Sequence, residues 1–370
     1  MENLAEDILS SPTVEEYSEK GFGVGIESSD NTLADSVDIL ELKKEYIRYI
    51  DRLLQKGGPS EEDYPNLDAW IIGIDQMIKA GYIGPRDIAS LRARFGDVFS
   101  LQTLAGFAFL KPHGYAGDYQ IIDRIYQAYI SPVSHLSKWD RYAQRLAASQ
   151  AVRNRKTYFQ ELLRSHCASR QGRALHVLNI ASGPGRDMFE YLSTNGSSEV
   201  YFDCIEQDQE AINYASLLCS AFLDRITFIR SDVLRFRPCR KYDIIWSAGL
   251  FDYFNDKVFK AVLKRLVPAV APGGEIVIGN FSHANPSRCW MELCGWILHH
   301  RSPAELLLLA EECGIPRSNL TIGQEPQGVN LFLHITYPER TVVQTGQYLT
   351  RGSSDVENIR AKEEEYTISS

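Results

Sequence analysis

Apolar and polar positions change rhythm near the middle of the chain. From 37 to about 172 apolar residues recur at helical spacing, whereas from 173 to 340 short apolar runs alternate with amphipathic stretches. The first rhythm predicts helices over 39–55, 63–80, 85–95, 100–109, 119–129 and 137–165, with Gly57-Gly58-Pro59 ending the first of them. The second predicts a strand beginning at 177 and others over 201–205, 226–230, 242–246 and 275–280, with helices at 188–193, 258–267 and 303–313. Ser302 with Glu305 three residues later opens the last helix, and Gly314 and Pro316 stop it. Runs 320–323 and 329–336 lie too close for a helical crossover and must pair as an antiparallel hairpin. The expected fold is α/β, a Rossmann-like parallel sheet with a terminal antiparallel hairpin, preceded by a helical N-terminal domain. Acidic, Ser-rich residues 1–36 predict a flexible arm, 341–370 a flexible tail, and 171–173 the junction between domains 37–172 and 173–340.

The first strand runs into V-L-N-I-A-S-G-P-G-R-D (177–187), whose Gly183 and Gly185 permit positive φ and close approach of backbone to a ligand. The helix that follows aims its N-terminal amides at the same place. A dinucleotide fingerprint needs a small residue three places after the second glycine, where this chain has Met188, so the turn suits a nucleoside without a pyrophosphate. S-adenosylmethionine (SAM) is the candidate. Alone, a glycine pair says little, because such pairs also end helices and close hairpins. Successive strand ends add Glu206, at the distance where an acid accepts hydrogen bonds from ribose, with Asp208 its rival, and then Ser231-Asp232, where a carboxylate can meet an adenine amine. The fourth strand leads into S-A-G-L-F-D-Y-F. Singly each acid reads as a helix cap or a loop charge, but their order at consecutive strand ends favours a cofactor site.

The segments K-P-H-G-Y-A-G-D-Y (111–119), A-V-R-N-R (151–155), G-L-F-D-Y (249–253), I-G-N-F (278–281), W-M-E (290–292) and V-N-L-F-L (329–333) narrow the reading. Together, from about 106 to 338, they resemble the bacterial class I SAM-dependent methyltransferases typified by the enzyme that makes 3-hydroxypalmitic acid methyl ester, an extracellular factor. The resemblance implies SAM as methyl donor and helical N-terminal residues that help form the active site. Glu206 stands where that family more often has Asp, and either acid can hold a ribose. The expected cofactor-binding set is Tyr115, Asp118, Arg153, Ala181, Ser182, Gly183, Gly185, Glu206, Gln207, Ser231, Asp232, Val233, Ala248 and Gly249, with Tyr115 and Asp118 on a glycine-flanked lid loop. Arg153 and Arg155 both offer a cation for the cofactor carboxylate, or a solvated helix face.

The expected catalytic set is Tyr253, His283 and Arg288. The stretch 282–301 is rich in His, Arg and Trp at the carboxyl edge of the sheet, where a substrate wall is expected. Arg288 or Arg301 can clamp a carboxylate, His283 can serve as base for a hydroxyl acceptor, and Asp252 neighbours Tyr253 on the acceptor side. The bland readings are that His299-His300-Arg301 ends a helix and that Trp290 and Trp296 are core residues.

Composition then removes alternatives. A formal charge of −9 argues against general affinity for nucleic acid, and no apolar run is long enough for membrane insertion. Seven cysteines without a C-x-x-C predict free thiols and no metal, and the polar start predicts a cytoplasmic protein. The resulting expectation is a SAM-dependent transferase of secondary metabolism, methylating a carboxylate or hydroxyl oxygen of a fatty-acid-like or other small acceptor, with the helical domain offering a homodimer interface. The alternatives are N- or S-methylation of a small amine or amino acid, a nicotinamide-dependent oxidoreductase, and a catalytically silent SAM-binding protein.

Overall fold

A computed structural model of the chain describes residues 32–338 apart from 171, 197 and 198. Residues 1–31 of the expected arm and the whole of the expected tail, 341–370, lie outside the described residues. Residues 32–36, assigned to the arm above, are instead the first turn of α1 (Thr32–Gln55).

Helices α2 (Tyr64–Lys79), α3 (Pro85–Arg94), α4 (Leu104–Leu110), α5 (Tyr119–Tyr126), α6 (Ser134–Arg145) and α7 (Ala147–Ser169) follow. They begin where local chemistry allows. Thr103 accepts from the Gly106 N–H at the start of α4, and Asp118 accepts from Gln120 and Ile121 N–H at the start of α5. The single helix expected over 137–165 is two, broken at Leu146, which has extended backbone (ψ 143°). No glycine or proline marks that break. Its cause is tertiary: the freed Ala148 N–H donates to Ser287 Oγ, 139 residues away.

The strands are β1 (Leu175–Ile180), β2 (Val200–Glu206), β3 (Ile226–Arg230), β4 (Tyr242–Ser247), β5 (Val270–Phe281), β6 (Leu320–Gln324) and β7 (Asn330–Thr336). They form one seven-stranded sheet in the order β3-β2-β1-β4-β5-β7-β6, parallel except for β7. The hairpin expected from the short connection is present. The A-P-G-G stretch, read as a turn, is an irregularity inside β5: its register with β4 shifts between Tyr242 and Ile244. Helices α8 (Arg186–Thr194), α9 (Gln209–Leu218), α10 (Asp256–Leu266), α11 (Arg288–Leu293) and α12 (Pro303–Glu311) complete the structure, and Ser302 and Glu305 make the expected capping box.

Three apolar clusters hold these layers. Two flank the sheet, with Phe159, Trp246 and Phe332 on one face and Phe251, Phe259 and Ile278 on the other. The third fills the N-terminal helices, but Trp290, Met291, Leu293 and Cys294 enter it from beyond β5. Trp290 stacks on Trp139 at 6.4 Å and meets Phe95 and Tyr142 edge-on. The segment expected to wall a substrate therefore mostly rivets the helical layer to the sheet edge. Among the described residues no helix is long and apolar enough to cross a membrane.

Candidate active site

The carboxyl ends of β1 to β4 and the 114–117 loop enclose a cavity of about 210 Å³. Its floor is the turn after β1. Ala181 and Gly183 are left-handed (φ 53° and 54°), uncommon for alanine and stored at the mouth of the site. A Cβ at Gly183 would meet nothing within 4 Å, so the space beside it is cavity. Gly185 (φ 68°) is different: its Cβ would press on Ala215 Cβ at 3.2 Å, so this glycine lets α8 and α9 pack and does not line the cavity.

Glu206, at the end of β2, is fixed by the backbone. Its Oε2 accepts from Gly183 N–H (3.1 Å) and its Oε1 from Gln207 and Asp208 N–H (2.8 and 3.1 Å). Burial nevertheless raises its carboxyl above the ordinary range, because desolvation outweighs those donors. Its rival Asp208 caps α9 through Glu210 N–H and accepts from Tyr115 Oη at 3.0 Å. Tyr115 thus bridges the 114–117 loop to the rim beside Glu206. The same seam is held by His113 with Glu210, by the Tyr119 and Tyr214 rings, and by Asp123, which accepts from Arg186 and Tyr214.

At the ends of β3 and β4 the lining includes Ser231, Asp232, Val233, Ala248 and Gly249, and it also takes in Ser182 and Gln207. Asp232 Oδ1 accepts from Leu234 N–H at 2.8 Å. Gly249 makes room for Arg155, whose Nη1 would lie 2.9 Å from a Cβ there. Arg155 rises from α7 into the cavity wall, donates to Ala248 O (3.3 Å) and Tyr126 Oη (3.4 Å), and has no carboxylate within ion-pair distance among the described residues. Beside it, burial lifts the Asp187 carboxyl to about 6, with Met188 N–H and Arg155 drawing it back. Asn179 also lines the cavity, and its buried Nδ2 has no protein partner. Two donors and one carboxylate, none of them in an ion pair among the described residues, suit the zwitterionic end of an α-amino acid.

The glycine turn, the fixed acid and the amino-acid nook together fit SAM. Independently, the family model described as "Methyltransferase domain" matches residues 177–274. This segment is similar to a methyltransferase domain, and it carries the parallel sheet with a terminal antiparallel hairpin that the sequence predicts.

Among solved structures, the chain is similar to a possible exported protein from Bordetella parapertussis (20% identity over 60% of this chain and 79% of that one, TM-score 0.50), which shares the fold. It is also similar to the N-methyltransferase NodS from Bradyrhizobium japonicum WM9 (20%, 60% and 98%, TM-score 0.39). Magnesium protoporphyrin IX methyltransferase from Synechocystis PCC 6803 is a further match (11%, 60% and 98%, TM-score 0.39). No curated protein sequence matches.

Several expected site residues lie outside the cavity. Asp118 is buried as the cap of α5. Arg153 points to Gln144, donating to its Oε1 and backbone O, while Arg155 reaches the cavity. Residues two apart on a helix face different ways, and the sequence alone did not choose between them. His283 is exposed and bonded to Glu305 (2.9 Å), and Arg288 is paired with Glu292 (2.6 Å). Arg301 is buried against Asp256, Asn280 Oδ1 and the Phe251 and Phe254 carbonyls, so it clamps the chain itself. His299-His300-Arg301 does not end a helix: it lies in irregular chain, with His299 N–H donating to Asp252 O and Arg301 N–H to Phe281 O. Asp252 is withdrawn too, its Oδ1 accepting from Phe281 N–H at 2.6 Å.

Tyr253 does line the cavity. Trp296 Nε1 donates to its oxygen at 2.8 Å, and burial followed by the Asp252 charge pushes the phenol well above its usual value. The hydroxyl keeps its proton. Asn179, Asp187, Tyr126 and Trp246 were not selected from sequence, although two of them sit inside the quoted glycine motif. The missing signal was which face of strand or helix each presents.

Proposed function

We propose that this protein is a SAM-dependent methyltransferase acting on an oxygen of a small molecule, with the helices of 37–172 forming its lid and acceptor wall. The observation carrying this reading is the pairing, in one cavity, of Glu206 with the Asn179, Arg155 and Asp187 nook. Glu206 accepts from the ribose hydroxyls, Asp232 from the adenine amine, Arg155 and Asn179 donate to the carboxylate, and Asp187 faces the ammonium. Bound SAM supplies an electrophilic methyl on a sulfonium.

The chain's own task is to place the acceptor in line and exclude water, and positioning accounts for most of the acceleration in such a displacement. The lining contains no histidine or lysine. That favours an acceptor already competent as a nucleophile, such as a carboxylate, ionised at neutral pH. Tyr253, a retained donor, holds one acceptor oxygen while another lone pair reacts.

The test is calorimetry with SAM and its demethylated product, S-adenosylhomocysteine (SAH), followed by labelled-methyl transfer to panels of carboxylic acids, alcohols, thiols and amines. Binding of both cofactor forms with product among the oxygen acceptors is expected. No binding at millimolar concentration ends the reading, and product only among amines or thiols ends the oxygen assignment.

The Asp187 assignment carries a pH signature. Its carboxyl is raised to about 6 in the folded protein, so below that pH it is neutral and loses its attraction for an ammonium. SAH affinity should therefore fall as pH drops through 6, by up to about tenfold per unit if one proton must leave. Asp187→Asn should bind more weakly at pH 8 and show a flatter profile. An unchanged profile in Asp187→Asn removes Asp187 from the cofactor site.

A further inference from the structure

Helix α5 separates two spaces. Tyr119, Ile122 and Tyr126 face the cofactor cavity, whereas Ile121 and Ile125 face a chamber of about 50 Å³ inside the helical layer. Apart from Ser149 the chamber is lined by apolar residues, among them Ala108, Val152, Phe281 and Met291. A hydrogen bond links a side chain of one lining to a side chain of the other. Tyr253 lines the cofactor cavity and Trp296 the chamber, and they are joined by the 2.8 Å hydrogen bond between indole and phenol.

Gly117 completes the partition. A Cβ there would lie 2.2 Å from Tyr253 Oη and 3.0 Å from Trp296 Cζ2, so the lid loop closes on this pair only because it carries glycine at φ 69°. Protein cores keep few voids, since an empty apolar space forfeits dispersion contacts on every wall. A chamber kept open one indole away from the cofactor cavity is best explained by an occupant.

Resting on the methyltransferase reading, we propose that this chamber receives a compact apolar group of the methyl acceptor, such as a short branched alkyl, and that Trp296 sets the size admitted. The acceptor's nucleophilic end stays with Tyr253 on the cofactor side, and its apolar group enters the chamber by parting the Trp296–Tyr253 hydrogen bond, with the indole still lining the chamber. Size argues for a compact group: an apolar cavity that holds benzene measures about 150 Å³, and the chamber is smaller than that. A long acyl chain, which the sequence resemblance suggests, has no room while Trp296 holds its place.

The test uses the full-length protein saturated with SAH, so that probes cannot enter the cofactor cavity, with xenon as the small probe and fluorobenzene as the larger one. Methyl resonances of Ile121, Ile125 and Met291 report on the chamber. Xenon should shift them in the unaltered protein, and Ala108→Leu, which fills the chamber, should abolish the shift while leaving SAH affinity unchanged. Fluorobenzene should bind at least about tenfold more tightly to Trp296→Ala, or to Trp296→Leu if the alanine variant does not fold, than to the unaltered protein. The proposal is overturned if xenon leaves the three residues unmoved, if Ala108→Leu does not alter its effect, or if fluorobenzene perturbs unaltered and Trp296 variants alike. Should SAH itself fail to bind, the methyltransferase reading falls, while xenon in the cofactor-free protein still reports whether the chamber admits a compact apolar group.

Discussion

Replacing Glu206 with alanine should weaken SAH binding at least about 100-fold, because two hydrogen bonds from ribose hydroxyls to a carboxylate each contribute about 1.5–3 kcal/mol. Part of the loss is local. Gly183, Gln207 and Asp208 N–H lose their acceptor, so the turn after β1 should also loosen. Glu206→Gln separates the effects, since it keeps one acceptor oxygen for the backbone while removing the charge, and it should lose roughly tenfold. Calorimetry gives the affinity and the thermal midpoint without ligand gives the fold. A folded Glu206→Ala protein with affinity within about threefold of the parent would dismantle the cofactor assignment.

Arg155→Met should have effects of opposite sign on the free and the bound protein. In the free protein, Arg155 is a buried cation whose hydrogen bonds go to a carbonyl and a phenol, and an apolar side chain of similar length should leave stability unchanged or higher. In the bound protein it meets the cofactor carboxylate, and its removal should cost about 30- to 100-fold in SAH affinity. Stabilisation by ligand then shrinks. At a concentration of about 100 times the parent dissociation constant, a gain near 2.7 kcal/mol should fall to about 0.4–0.9 kcal/mol. Arg155→Lys should be intermediate, because a single ammonium cannot reproduce the planar fork. If Arg155 were purely structural the pattern would reverse, with a lower midpoint in the free protein and an undiminished shift on adding SAH.

The chemistry along the sheet edge was legible because it is local in sequence. A buried parallel strand is a continuous apolar run, a ligand-approaching turn needs glycine, and an acid at the next strand end follows at a set distance. Gly183, Glu206 and Asp232, which line the cavity, were therefore readable together, by their order at successive strand ends, and the hairpin was readable from the length of its connection. The lid was half legible: two glycines in a helical region marked the loop and Tyr115, but Asp118 in the same loop turned out to cap a helix.

Residues 282–301 show the limit. Their His, Arg and Trp content resembles a substrate wall, yet most of them are consumed in packing and internal pairing, with Trp290 in the helical core and Arg301 bonded to Asp256 and Asn280. Composition cannot distinguish a side chain that meets a ligand from one that meets its own chain.

What the sequence by itself determined is the order of the strands, the glycine turn and the acids that follow it, since periodicity and backbone conformational preference act over a few residues. Only the tertiary structure decided that Arg155 and not Arg153 reaches the cavity, that α6 and α7 part at Leu146, and that Tyr253 and Trp296 divide two spaces. Each of those depends on contacts between segments far apart in the chain, where burial and the search for hydrogen-bond partners, and not local propensity, fix the direction of a side chain.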